Sequence, residues 1–115
     1  MIGRRLPVVD DDGHRRMTMP ERPGDYCGPL RGYTGDLEAC FFLKPNARDP
    51  GVPASARSVQ HVTFPPHTYR ECADGSLEIR NSLGSTKRTP TGVPEIDADD
   101  GWHGYLDEGH VWRKA

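Results

Sequence analysis

Large apolar side chains are scarce in this chain: Leu, Ile, Val and Phe account for only 20 of its 115 residues. No run approaches the 18 or more apolar residues of a membrane-spanning helix. Cysteine is sparse too. Cys27, Cys40 and Cys72 are an odd number and cannot all pair, which argues against a disulfide framework. An excess of one charge is also missing. Fifteen basic against seventeen acidic residues leave a net charge of −2, with no global field to draw in nucleic acid, so dedicated DNA binding is not expected. Low apolar content signals disorder only when net charge is high, and here it is not. Finally, no apolar stretch follows the basic Met1–Arg5; Asp10-Asp11-Asp12 stands where a signal peptide would place one. The chain is therefore expected to stay in the cytosol.

Glycine (13) and proline (11) are plentiful, and no segment offers twelve residues of helical periodicity free of both. Residues 1–36 combine charge with Pro7, Pro20, Pro23 and Pro29. Only Leu6-Pro7-Val8-Val9 there has the pattern of a short strand, so 1–36 is expected as an extended, partly ordered segment. Met17 and Met19 leave a later start open. Residues 37–115 are expected as a small β domain. Leu37–Leu43 is a short aromatic run ended by Lys44-Pro45-Asn46, which predicts a buried strand. Residues 45–57 read as a loop. Ser58–Phe64 alternates with period two until Pro65-Pro66 stops it.

Two hairpins follow. His67–Cys72 and Ser76–Arg80 flank Ala73-Asp74-Gly75, and Asp-Gly between alternating runs predicts a tight mirror-image turn. Leu77 and Ile79 are expected in the core, with Glu78 and Arg80 on the opposite face. Residues 84–100 read as a loop. Trp102–Leu106 and His110–Arg113 then flank Asp107-Glu108-Gly109, a three-residue connection. The fold class expected is mostly β: a small antiparallel sheet or open barrel with two C-terminal hairpins and long loops.

Catalytic and metal motifs are thin. His61, His67, His103 and His110 lie on or beside strands and with Cys40 or Cys72 would supply zinc ligands, but no C-x-x-C, H-E-x-x-H or His-x-His spacing occurs. His61-Val62-Thr63-Phe64 fits the H-x-T signature of two-histidine phosphoesterases, which need that motif twice, and no second copy is present. Asp97–Gly101 is acidic like a calcium loop yet lacks alternating oxygen ligands and a distal Glu. Neither a metal nor a cofactor is expected. Cys40, between Ala39 and Phe41, reads as a core residue.

The densest grouping of chemistry lies on the hairpins: His67, Tyr69, Arg70 and Arg80 on the first, His103, Tyr105, His110 and Arg113 on the second. Arginine binds phosphate or carboxylate bidentately, and aromatic rings stack bases or pack partner side chains. These eight residues are the expected ligand-binding set, for an anionic, nucleotide-like molecule or a protein partner. Alternation also requires that about half of such a list belong to the core, and Trp102 and Trp112 with some of the tyrosines supply much of it.

The blocks Phe41-Phe42-Leu43-Lys44-Pro45, His67–Glu71 with Asp74–Ile79 and Ser82-Leu83-Gly84, and Trp102–Trp112 resemble small uncharacterised proteins of actinobacterial phages and their hosts. More distantly, the chain is similar to a β domain of unknown function that accompanies ubiquitin-like conjugation operons in bacteria. That wider family usually carries a zinc-type Cys cluster after its first strand, where this chain has Lys44-Pro45-Asn46-Ala47. The resemblance spans roughly 37–113 and implies a phage accessory protein in the host cytoplasm. The function expected is non-enzymatic binding by a homo-oligomer, either of a host protein or of an anionic small molecule that it sequesters. A phosphoesterase or nuclease using His61 with a second His is the rival reading, and a virion or assembly component is the third.

Overall fold

The computed structural model describes residues 1–51, 59–84 and 102–115, and the backbone alone of 86–87 and 95–96. Among them the chain is all β, in several small sheets with no helix and no closed barrel; no helix is thus long and apolar enough to cross a membrane. The first four-stranded sheet contains β1 (Arg4–Leu6), β4 (Asp25–Thr34), β5 (Leu37–Phe42) and β6 (Gln60–Phe64), in the order β1-β4-β5-β6, with β1 parallel to β4. The second contains β7 (Thr68–Glu71), β8 (Leu77–Gly84), β11 (His103–Asp107) and β12 (Val111–Lys114), antiparallel in the order β12-β11-β8-β7. β2 (Val8–Asp11) and β3 (His14–Met17) make a separate hairpin, and β9 (Thr86–Lys87) pairs with β10 (Glu95–Ile96).

The two larger sheets share one core. Tyr26, Cys40, Phe42 and Val62 from the first pack with Leu77, Ile79, Leu83, Leu106 and Trp112 from the second, and Trp102 joins them. Period two explains the other side of β5: Ala39 and Phe41 point away from that core into a satellite cluster with Leu30, which Val8 and Met17 of the β2–β3 hairpin help to cover. Both faces of β5 are therefore buried. That is why Ala39–Phe42 reads as an unbroken apolar run rather than an alternating one.

Residues 1–36 are not a loosely held leader. They contain β1 to β4, Tyr26 is fully buried in the shared core, and the β4–β5 hairpin runs straight across position 36 with Thr34 opposite Leu37. Asp25 is buried as well, held by the Arg4 guanidinium at 2.8 and 3.0 Å and by the backbone N–H groups of Glu21 and Arg22. Burial by itself pushes the Asp25 carboxyl up, but Arg4 and those two N–H groups hold it below the ordinary carboxylate value. The Arg5 guanidinium lowers Glu71 in the same direction. A depressed folded-state value stabilises fully above about pH 4 and is lost as pH falls through it. We expect the melting temperature to drop below about pH 4, with a shallower acid limb in Asp25→Asn. An identical limb in the variant would show that Asp25 does not carry it.

The first six residues join the sheets. The backbone of Met1–Gly3 lies along β12, through Trp112 N–H to the Met1 carbonyl at 2.8 Å and Gly3 N–H to the His110 carbonyl at 2.7 Å, with Ile2 bridged to Val111. The same segment then becomes β1 and pairs with β4 in the other sheet. A chain begun at Met17 or Met19 would lack this join.

Both predicted hairpins form, with different turns. In the first, Gly75 N–H bonds the Cys72 carbonyl and Cys72 N–H the Ser76 carbonyl, so the connection is the three-residue Ala73-Asp74-Gly75 with Gly75 at φ 87°. The three-residue connection is the one expected, but its only left-handed residue is Gly75, so it is not the tight mirror-image turn, which would need a positive φ at Asp74 as well. In the second, Asp107 pairs with Val111, so the connection is Glu108-Gly109-His110, one residue later than predicted. Gly109 N–H donates to Ser76 Oγ at 2.9 Å and ties the two turns together. The predicted strands over 37–43 and 58–64 appear as β5 and β6. Of the predicted loops 45–57 and 84–100, residues 52–57, 85, 88–94 and 97–100 lie outside the described residues, as does Ser58 of the predicted strand, while the second loop gives up Gly84 to β8 and 86–87 and 95–96 to β9 and β10.

Candidate functional site

The outward face of the second sheet follows from its alternation. On β11, Gly104 and Leu106 are buried while His103, Tyr105 and Asp107 point the other way. On β8, Leu77 and Ile79 face the core and Glu78 and Arg80 do not. The ladder between these strands is irregular. Leu106 pairs with Ile79 and Gly104 with Leu83, so Tyr105 alone stands opposite Arg80, Asn81 and Ser82. Asn81 takes φ 69°, a left-handed conformation that Asn tolerates better than most residues. The bulge opens a cavity of about 400 Å³ lined by Glu78, Arg80, Asn81, Ser82, Tyr105, Asp107 and Arg113, with Ile79 beneath.

Charge in this cavity is balanced, two guanidinium groups against two carboxylates. The Arg113 guanidinium lies 4.3 Å above the Tyr105 ring, and its Nε–H donates to Asp107 Oδ2 at 2.8 Å. That hydrogen bond raises Arg113 above its already high value, so the group stays charged. Arg80 Nη2 sits 2.7 Å from Glu78 Oε1 as an ion pair rather than an aligned hydrogen bond. Glu78 also accepts from Arg70 at 3.2 Å, and with only 14% of its side chain exposed it is the internal counter-ion of that pair.

Of the eight residues expected at the site, Arg80, Tyr105 and Arg113 line the cavity. Arg70 shares their face but reaches it only through Glu78. His67 supports the bulge from the β7 side: its Nε2 is 3.1 Å from the Ser82 carbonyl, an acceptor, so that nitrogen carries the proton. His103 is half-buried opposite Gly84, its Nε2 without a hydrogen-bond partner among the described residues. Two members belong elsewhere. Tyr69 points inward, its ring 4.6 Å from Phe64 and its hydroxyl donating to Glu38. His110 sits in the second turn at φ 61°, with Nδ1 2.6 Å from the Tyr26 hydroxyl. Sequence reasoning missed Asn81, Ser82 and Asp107. Their signal is Asn81 itself, a polar residue at the position where alternation after Leu77 and Ile79 requires an apolar one.

The larger cavity, about 630 Å³, lies between the β1–β2 corner and the first turn. Its most prominent cation is already committed: Arg5 bonds both Glu71 oxygens at 2.6 and 2.8 Å, the Gly28 carbonyl at 2.8 Å and the Gly75 carbonyl at 3.2 Å. His61, the centre of the phosphoesterase reading, is exposed on β6 in the first sheet, its ring 6.1 Å from Phe41. Among the described residues one set of three potential metal ligands converges within 4.8 Å, Cys72, Asp74 and Glu108, and it contains none of the histidines. Cys40 is a core thiol, which burial pushes up to about 12.

No protein-family model matches this chain, and no curated protein or solved structure matches it either.

Proposed function

We propose that this chain is a non-enzymatic binding module that holds an anionic small molecule between Arg80 and Arg113 on the outer face of its second sheet. One observation carries the reading: the bulge at Asn81 brings these two guanidinium groups into a single cavity with Tyr105. The cavity's volume falls within the range of small-molecule sites. A guanidinium has five N–H donors, and Arg113 spends its Nε–H on Asp107, which leaves the Nη donors to grip a phosphate or carboxylate. Stacking on Tyr105 and the bond to Asp107 fix the orientation of Arg113 in advance, so less freedom is lost on binding. In the phage setting that the sequence resemblance implies, such a module acts by sequestering its ligand inside the host cell.

The test is calorimetric titration with nucleoside monophosphates, cyclic nucleotides and ADP-ribose, alongside thermal-shift measurements. We expect Arg113→Ala and Arg80→Ala each to weaken binding by about tenfold. Their own melting temperatures should barely change, because 56% and 72% of those side chains are exposed. Absence of binding by every one of these anions, or variants that bind as well as the parent chain, would overturn the proposal.

A further inference from the structure

We infer that the ligand of this cavity carries a hydroxyl pair beside its anionic group, as a ribose phosphate does. The inference rests on the anion reading above and sharpens it from the cavity's charge balance. Glu78 and Asp107 stand among the lining residues with Arg80 and Arg113. A bare anion gripped by the arginines would lie close to two carboxylates of its own sign and be repelled by them. A ligand with hydroxyl donors turns that repulsion into hydrogen bonding, since ionised carboxylates only accept.

Asp107 is the acceptor placed for this. A third of its side chain is exposed, and it has given Oδ2 to Arg113 Nε–H. A carboxylate offers about four lone-pair sites, so capacity remains for a pair of neighbouring hydroxyls. Glu78 is the less available of the two, nearly buried and shared between Arg70 and Arg80. Acidic side chains take the ribose hydroxyls of dinucleotides by the same chemistry. The guanidinium of Arg113 and the carboxylate of Asp107, bound to each other, thus present a donor set and an acceptor set side by side. A phosphate and the hydroxyls of one sugar have matching polarity.

The experiment compares AMP, 2′-deoxy-AMP and inorganic phosphate by calorimetry, on the full chain and on Asp107→Asn. We expect AMP to bind about tenfold more tightly than 2′-deoxy-AMP. Asp107→Asn should bring that ratio close to one, mainly by weakening AMP. Equal affinities for AMP and 2′-deoxy-AMP on the parent chain, or an Asp107→Asn variant that keeps the ratio, would overturn the hydroxyl inference and leave the anion reading standing. Failure of AMP to bind at all would also overturn this inference, and failure of every anion named above would remove the anion reading with it.

Discussion

Replacing Gly3 with alanine is expected to lower the melting temperature by more than about 10 °C. A Cβ built on Gly3 lies 2.1 Å from the Gly24 carbonyl oxygen and 2.6 Å from Trp112 Nε1. Those two atoms are themselves hydrogen-bonded at 2.8 Å, and Trp112 is a buried member of the shared core. The methyl therefore has to move backbone on one side or a core indole on the other. Overpacking and a lost buried hydrogen bond together make about 3 kcal/mol, roughly a hundredfold in the ratio of folded to unfolded chain. Gly51 is the control, since a Cβ there meets its nearest neighbour at 3.5 Å; Gly51→Ala should melt within about 2 °C of the parent. A Gly3→Ala variant as stable as that control would mean that the first six residues do not join the sheets.

Tyr26→Phe comes second, at about 2 kcal/mol. The Tyr26 hydroxyl accepts from Leu77 N–H at 3.2 Å and meets His110 Nδ1 at 2.6 Å, so one atom of the first sheet satisfies both hairpins of the second. Burial pushes the phenol up to about 12 despite the Leu77 N–H, so it remains protonated near neutral pH. Phenylalanine preserves the ring contacts with His110 and Trp112. It removes the hydroxyl that Leu77 N–H bonds, leaving a buried N–H without that partner, the expensive way to lose a hydrogen bond. Chemical denaturation should show the lower midpoint with an unchanged slope. A midpoint equal to the parent's would mean that water or another group replaces the hydroxyl, and that the bridge between the sheets is not held there.

How far the fold could be read from the residues depended on whether its strands are made by their own pattern. β5, β6 and both hairpins are: apolar run, alternation and glycine turns all lie within a few neighbours. β4 is not. Gly28, Pro29 and Gly32 interrupt it, Asp25 begins it, and its ladder with β5 is irregular at two places. Its burial depends on Arg4, twenty-one residues away, neutralising Asp25. The N-terminal arginines look like solvated charge and are in fact cross-links.

The same distinction applies to the site. A two-residue Asp74-Gly75 turn would pair Tyr69 with Arg80 and put both on the outer face. The three-residue turn pairs Tyr69 with Ile79 instead, and one residue of slip sends a whole strand's side chains through the sheet. The second hairpin's connection also runs a residue late, but there every partner moves by two, so Tyr105 and Arg113 keep their common face.

The join made by Met1–Gly3 also sets an order of events during synthesis. Met1–Gly3 are made well before the segment they lie along, which runs from His110 in the second turn to Trp112 of β12. Until those residues emerge, the opening segment has only half of its partners. The contact spans more than a hundred residues, the most entropically demanding loop closure in the molecule. The two sheets are therefore joined late in folding, when residues made early clasp a segment more than a hundred positions further along.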